Sequence, residues 1–345
     1  MKQTALVICP GRGTYTAQEL GYLKRYGARF QDKLAVLDQA RRGAGKMPLS
    51  ELDGAAQYAL GTHTVGENAA ALIYACSLVD YLSINPDKYE VVAIMGNSMG
   101  WYTALGLSGA LGFKDAFRLV DTMGSLMQAH GVGGQLLYPE VDEHWRFDAG
   151  KRALIESQMS EINQLDGCQV FDSIFFGGYR VIGGNDQGLK ALSKRLPQVE
   201  ERYPLRLVNH AAFHTPLLQG ITDQAQQVTE AASFTRPKVP LIDGRGQIWQ
   251  PYSTNPQLLW EYTLGYQLVN PYDFTQAVTV GLKEFAPDKL ILLGPGSASG
   301  GAIAQVMIQH RWNGLGSKEA FMSAQEKDPY LLAMGRTDQR AWVSQ

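Results

Sequence analysis

The sequence predicts an α/β fold with a core built on a parallel sheet and a smaller module inserted into it. An apolar strand leads through a Gly-Asn-Ser-Met-Gly turn into a helix at Val91–Leu107, and other short apolar strands alternate with helices toward both ends of the chain. Between residues 131 and 207 the pattern is strand, helix, strand, strand, helix, strand, which is typical of a ferredoxin-like module. The predicted organisation is a discontinuous core over 1–130 and 208–316, a ferredoxin-like subdomain over 131–207, and a polar C-terminal tail over 317–345.

The turn at Gly96–Gly100 has the Gly-x-Ser-x-Gly spacing of a nucleophile elbow. In such a turn the serine projects above the sheet, and the two glycines leave room where a Cβ would clash. The following helix is predicted to begin at Met99, so its free N–H groups point toward the Ser98 oxygen and can stabilise an oxyanion. The core is therefore predicted to be α/β-hydrolase-like, with Ser98 as a catalytic nucleophile. A glycine-rich turn without a catalytic role is the alternative.

Composition and charge exclude several function classes. The chain has 345 residues, 45% of them hydrophobic, and its 31 basic and 33 acidic side chains leave a net charge of −2, so no basic surface favours nucleic acid. No apolar run reaches the ~20 residues of a membrane span, and the apolar N-terminal run is too short for a signal peptide. Three separated cysteines, Cys9, Cys76 and Cys168, are expected to be reduced thiols of a cytoplasmic protein.

Two other features resemble ligand sites in composition. The first strand, Ala5–Cys9, ends in the glycine-rich loop Pro10–Gly13, which fits neither the dinucleotide fingerprint nor the P-loop, so a nucleotide site is disfavoured. His210 and His214 are four residues apart but lack a third ligand, and none of the six histidines has a metal-site spacing. No metal is expected.

The remaining elements follow from apolar periodicity and breakers. Residues 28–62 are expected to form helical pieces and loops. Helices are predicted near Ala17–Tyr26, Glu67–Leu82, Lys114–His130, Lys151–Leu165, Asp186–Leu196, Leu217–Ala232, Pro256–Tyr266 and Phe274–Phe285. Strands are predicted at Gln135–Tyr138, Val170–Phe176, Tyr179–Gly183, Arg206–Val208, Val239–Asp243 and Lys289–Leu293.

Five motifs in order resemble the malonyl-CoA:acyl-carrier-protein transacylase family, whose fold also serves as the acyltransferase domain of fatty-acid and polyketide synthases. They are the loop at residues 9–13, the elbow at 96–100, Ala-Ala-Phe-His at 211–214, Gln-Leu-x-Asn-Pro at 267–271, and Gly-Pro-Gly at 294–296. The resemblance covers about Leu6–Gln309.

The resemblance implies roles for particular residues. Ser98 would be the nucleophile and His214 the general base, with the backbone carbonyl of Gln267 orienting the histidine. The oxyanion hole would be formed by the backbone N–H groups of Met99 and Arg12. His210 is expected to be a loop or pocket residue rather than a base.

The acyl pocket is where this chain departs from the family pattern. The malonyl-specific members carry an arginine on the helix after the elbow, and an ungapped alignment places Met123 there. Met cannot form the bidentate pair that a carboxylate favours. Asn97 and Trp101 also depart from the pattern on either side of the elbow, and together with Phe213 they are expected to line the pocket.

The sequence therefore predicts an acyltransferase that moves an acyl group from coenzyme A, through a Ser98 acyl-enzyme, to the phosphopantetheine thiol of an acyl carrier protein in fatty acid or polyketide biosynthesis. Acyl-CoA is a substrate, and no cofactor is expected. An acyl group without a free carboxylate is expected to be preferred. The alternatives are a hydrolase of carrier-protein thioesters, a malonyltransferase that uses Arg12 as its cation, and a non-catalytic docking partner of the carrier protein.

Overall fold

Eleven strands form two sheets in the computed structural model, which describes residues 1–345. The strands are β1 Gln3–Cys9, β2 Tyr89–Gly96, β3 Gly134–Pro139, β4 Val170–Phe176, β5 Tyr179–Gly184, β6 Leu205–Arg206, β7 Leu241–Ile242, β8 Ile248–Trp249, β9 Tyr272–Asp273, β10 Lys289–Leu292 and β11 Leu331–Ala333.

Sixteen α-helices pack around these sheets. They are α1 Tyr22–Tyr26, α2 Gln31–Gly43, α3 Leu49–Asp53, α4 Leu60–His63, α5 Gly66–Ser83, α6 Gly100–Leu107, α7 Phe113–His130, α8 Ala149–Ile162, α9 Asp186–Arg195, α10 Thr222–Gln226, α11 Pro256–Glu261, α12 Gln267–Val269, α13 Phe274–Phe285, α14 Ser299–Gln309, α15 Lys318–Lys327 and α16 Thr337–Ser344. A π-helical turn, Tyr262–Tyr266, joins α11 to α12.

The larger sheet has the order β11-β10-β1-β2-β7-β8 and is parallel except for β8 at its edge. Its central strand, β1, is fully buried over Ala5–Cys9 because helices cover both faces of the sheet. Helix α5 is apolar around most of its circumference, which is typical of a helix enclosed by other elements. The predicted α/β fold with a parallel sheet is confirmed.

The smaller sheet has the order β6-β3-β5-β4-β9. Strands β3 to β6 with helices α8 and α9 follow the chain order β-α-β-β-α-β, and the antiparallel pairing of β3 with β5 and β6, and of β4 with β5, gives the ferredoxin-like arrangement. This unit has its own apolar core of 11 residues, separate from the 70-residue core of the larger sheet. Strand β9 extends the small sheet from the other part of the chain, so the boundary at residue 207 does not separate the two sheets completely.

The expectation of a separate C-terminal tail was wrong. Strand β11 is buried and pairs with β10, so this segment completes the larger sheet. Arg340 on α16 is also buried, and its Nη1 donates to Asp80 Oδ1 at 2.6 Å, while Asp80 Oδ2 accepts from the Gly294 N–H at 2.7 Å. The polar composition of the tail concealed one short apolar strand and one buried ion pair.

Two predicted helices are shorter than expected. Only Tyr22–Tyr26 of the first one is helical, because the left-handed Gly21 stands at its start. The segment predicted as a helix at Leu217–Ala232 is divided into a 3₁₀ turn at Pro216–Ile221, the short α10, and a second 3₁₀ turn at Ala231–Ser233. In both places tertiary packing and local turn residues outweigh helix propensity.

Candidate functional site

The Gly-x-Ser-x-Gly turn joins β2 to α6 and holds Ser98 in a left-handed conformation with a φ of 54°. Such a backbone is strained for a residue with a side chain. A Cβ at Gly96 would overlap the backbone of Gly100, and one at Gly100 would overlap the Cys9 carbonyl of the neighbouring strand. Both glycines are therefore required by close backbone approach. Helix α6 begins at Gly100, one residue later than predicted, with Met99 as its N-cap.

Ser98 and His214 meet although 116 positions separate them in the sequence. Ser98 Oγ lies 2.7 Å from His214 Nε2, and His214 Nδ1 lies 2.6 Å from the backbone carbonyl oxygen of Gln267. A carbonyl can only accept, so Nδ1 carries the hydrogen, and Nε2 of the neutral ring is free to accept the Ser98 proton. Burial lowers the pKa of His214 to about 4, against an opposing effect of the Gln267 hydrogen bond. The imidazole is therefore neutral at neutral pH, as a general base must be.

Gln267 contacts both members of this pair. Its carbonyl accepts from His214, and its side-chain Nε2 donates to the Ser98 carbonyl oxygen at 3.1 Å. Gln267 is buried at the start of α12. Tyr272 supports the same turn, since its hydroxyl donates to the Gly96 carbonyl at 2.6 Å. The side-chain role of Gln267 and the contact from Tyr272 could not be read from the sequence, because nothing there shows which groups face the elbow.

The Met99 and Arg12 backbone N–H groups belong to two loops that meet at the site. Both residues line the cavity beside Ser98, and neither N–H donates to a backbone carbonyl. Free N–H donors next to a nucleophile can stabilise the oxyanion of a tetrahedral intermediate. Gly11 allows the first loop to lie close to the elbow, because a Cβ at this position would lie 2.7 Å from Asn97 Nδ2.

A cavity of about 290 Å³ extends from Ser98 between α7 and the small sheet. Sixteen of its 30 lining residues are hydrophobic, so it suits a largely apolar ligand. Asn97, Met123 and Phe213 line it. The strands of the small sheet also contribute apolar side chains, namely Leu137, Ile174, Phe176, Val181 and Leu205.

The Arg12 side chain lies in the wall of this cavity. Its Nη2 donates to the Thr64 carbonyl at 3.0 Å, its guanidinium carbon lies 5.5 Å from the Phe213 ring centroid, and no carboxylate pairs with it. Burial lowers the pKa of Arg12 to about 10, so the group keeps its charge at neutral pH.

The placement of Trp101 in the acyl pocket was wrong. The indole is fully buried on α6, its Nε1 donates to Thr263 Oγ1 at 3.0 Å, and its ring meets the edge of Tyr262. Trp101 is the first residue after the elbow, and its side chain points away from the cavity and packs against the π-helical turn. Arg118, the arginine of α7, is half exposed, pairs with Asp115 and does not line the cavity.

Known proteins with similar sequences agree with the site geometry in pointing to acyl transfer by their names. No family model matches the chain. A probable mitochondrial malonyl-CoA-acyl carrier protein transacylase from Drosophila melanogaster is 26% identical over 303 residues, covering 80% of this chain and 72% of the relative. The malonyl CoA-acyl carrier protein transacylase of Haemophilus influenzae is 24% identical over 321 residues, covering 89% and 93%. The chain is similar to malonyl-CoA:acyl carrier protein transacylases. The predicted resemblance to this family is confirmed, and both relatives are named as transacylases, which is the predicted enzyme class.

A much longer polyketide synthase contains a similar segment. The polyketide synthase GfsA of Streptomyces halstedii is 25% identical over 218 residues, which are 63% of this chain but 3% of that protein. The chain thus spans a small part of such relatives.

Solved structures of the transacylase fold are similar over nearly the whole chain. A malonyl-CoA:acyl carrier protein transacylase from Xanthomonas oryzae has a TM-score of 0.72 at 18% identity, covering 100% of this chain and 98% of the other. A malonyl-transacylase solved in complex with a type II polyketide synthase acyl-carrier protein has a TM-score of 0.73 at 19% identity, with 99% of both chains covered. The predicted fold, an α/β-hydrolase-like core with a small subdomain, is confirmed. None of the helices of this chain combines the length and the apolar character that a membrane span needs.

Proposed function

We propose that the chain transfers an acyl group from coenzyme A to an acyl carrier protein through an ester on Ser98. The observation that carries this proposal is the Ser98–His214–Gln267 hydrogen-bond chain in the wall of a largely apolar cavity. Ser98 Oγ attacks the thioester carbonyl as its proton passes to His214 Nε2, and the Met99 and Arg12 N–H groups hold the oxyanion. Collapse of the intermediate breaks the C–S bond, and His214 returns the proton to the departing thiol. A second thiol then reverses these steps on the acyl-enzyme.

An acyl carrier protein is the proposed acceptor. Its phosphopantetheine arm has the same thiol terminus as coenzyme A, so one channel can receive both. The relatives are named for transfer to this protein, and one structural neighbour is bound to one. These names support the proposal because the chain is similar to these proteins in sequence or fold.

Intact-mass analysis separates this proposal from its alternatives. The chain is incubated with several acyl-CoAs and a phosphopantetheinylated carrier protein, and the masses of both proteins and the free acid are followed. Acyl-carrier protein is the expected product. Free acid as the main product would identify a hydrolase, and unchanged masses on both proteins would identify a docking partner.

We further propose that the acyl group lacks a free carboxylate. Met123 is buried in the cavity wall among Val120, Met127 and other apolar side chains, and Met presents a polarisable surface to a methyl or methylene group. A carboxylate placed there without a cation would cost several kcal/mol.

Competition between acetyl-CoA and malonyl-CoA for Ser98 tests this preference. We expect acetyl-enzyme to dominate, because a difference of ~2–3 kcal/mol corresponds to about 30- to 150-fold in kcat/KM. Met123→Arg is expected to shift selectivity toward malonyl, with Met123→Leu as the matched apolar control. A malonyl preference in the native chain, together with little effect of Met123→Arg, would overturn the proposal.

The Arg12 guanidinium supports a second candidate, malonyl transfer. It lies in the cavity wall with a single protein acceptor and no carboxylate partner, so a malonyl carboxylate could pair with it. Arg12→Gln keeps the backbone N–H and removes this charge. If the native chain prefers malonyl and Arg12→Gln abolishes that preference, Arg12 is the cation.

Replacing the Gln267 side chain isolates its contact with Ser98, since the carbonyl that orients His214 stays in place. We expect Gln267→Leu to slow Ser98 acylation by about 3- to 10-fold, which is the scale of one lost hydrogen bond. The rate of acyl-enzyme formation in a single turnover is the measurement, with thermal unfolding as the control for stability. An acylation rate equal to that of the native chain would rule out this positioning role.

A further inference from the structure

His210 is the second histidine of the cavity and has no role in the proposed chemistry. It is half-buried in the loop after β6, lines the cavity, and its ring centroid lies 5.7 Å from that of Phe213. Its Nδ1 lies 2.7 Å from Gln135 Oε1. In the neutral ring one of the two nitrogens carries the hydrogen, and the other can accept a hydrogen bond from a ligand.

A chain of hydrogen bonds from Phe213 to His210 determines which nitrogen carries the hydrogen. It ends at the Phe213 carbonyl, which can only accept, so Ser173 Oγ must donate to it at 2.7 Å. Ser173 Oγ must then accept from the amide nitrogen of Gln135 at 2.6 Å. The amide oxygen of Gln135 therefore faces His210 Nδ1, and that nitrogen must be the donor. Gln135 and Ser173 are both fully buried, so water does not offer an alternative pattern.

The other ring nitrogen is consequently an unprotonated acceptor. Burial, and secondarily the Arg12 charge, lowers the pKa of His210 to about 3, so the ring is neutral at neutral pH. His210 Nε2 lies beside Gly13 on the first loop, 3.9 Å from where a Cβ would stand. No protein group donates to it, and it is a solvent-accessible atom of a side chain that lines the cavity. An acceptor that loses its water without gaining a donor costs free energy.

We propose that His210 Nε2 accepts a hydrogen bond from a neutral donor of the bound thioester, either a hydroxyl on the acyl chain or an amide N–H of the pantetheine arm. The proposal rests on the proposed function in taking the ligand to be a thioester in this cavity. It makes His210 a specificity-determining residue, and it fits an acyl group without a free carboxylate, since a carboxylate has no hydrogen to donate to an unprotonated nitrogen.

Equilibrium binding tests the proposal without any need for turnover. Butanoyl-CoA and 3-hydroxybutanoyl-CoA are titrated by calorimetry into the Ser98→Ala protein with native His210, with His210→Phe, or with His210→Gln. Phe keeps a ring of similar size without the acceptor, whereas Gln offers an amide oxygen as a replacement acceptor. We expect His210→Phe to weaken binding by about tenfold, the scale of one hydrogen bond, and His210→Gln to restore part of the loss.

The pattern over the two ligands identifies the donor. A loss confined to 3-hydroxybutanoyl-CoA assigns the donor to the acyl hydroxyl, and an equal loss for both, restored by Gln, assigns it to the pantetheine arm. Equal affinities in the native and His210→Phe backgrounds would overturn the proposal. So would a loss that Gln does not restore at all, because that result indicates shape rather than a hydrogen bond. Thermal unfolding of each variant shows that it is folded. Failure of the proposed function is detected separately, as absence of an acyl-enzyme on native Ser98.

Discussion

Ser98→Ala is expected to abolish acyl-enzyme formation and turnover. The expectation follows from the elbow, where the strained backbone at Ser98 directs Oγ to within 2.7 Å of His214 Nε2. An alanine there leaves the turn and the cavity unchanged but provides no atom that can bond to the acyl carbon. The measurement is the intact mass of the protein after treatment with acyl-CoA, in which the native chain gains one acyl group and the variant gains none.

Ser299→Ala is the matched control for this experiment. Ser299 is buried and lines the same cavity, but it has no histidine partner. The control should therefore retain the acyl mass shift. A mass shift that persisted in Ser98→Ala would place the nucleophile on another residue.

Local patterns predicted most of the fold. The strands β4 and β5 and the helices α5, α7 and α13 lie within a residue or two of their predicted bounds, because each is an apolar segment that ends at a strong stop signal. The ferredoxin-like unit was also predictable, since its strands and helices follow one another without interruption. The partnership of β9 with this sheet was not, because a two-residue strand has no periodicity of its own.

The candidate site was predictable only where it depends on residue type in a fixed spacing. The elbow is such a case, whereas the Phe213-His214 pair was predicted from the resemblance to the family. The Gln267 side chain, the Tyr272 hydroxyl and the tautomer of His210 depend instead on contacts between residues far apart in the chain. Trp101 was misplaced for a related reason, since one position on a helix changes the direction of a side chain by about 100°. A residue's closeness to a motif in the sequence thus predicts that it lies near the site better than it predicts where its side chain points.

His214→Ala is expected to reduce the rate of acyl transfer by at least ~100-fold, in line with the contribution of a general base. The histidine is the group that accepts the Ser98 proton, and its tautomer is set by the Gln267 carbonyl. His210→Ala should cost far less in the rate of acylation, because Ser98 has no contact with His210. Single-turnover acylation rates of both variants are the measurement. A larger loss in His210→Ala would mean that the base had been assigned to the wrong histidine.

The pH dependence of the native chain provides an independent test of the same base. Only the deprotonated imidazole accepts a proton, so acylation is lost as the pH falls through the pKa of His214 in the folded protein. With burial lowering that pKa to about 4, the acylation rate at pH 5 should stay close to its value at pH 7.5. An ordinary histidine, with a pKa of about 6.5, would lose about 30-fold over the same interval. A loss of that size in a protein that remains folded at pH 5 would mean that the imidazole is hydrated rather than buried when it accepts the Ser98 proton.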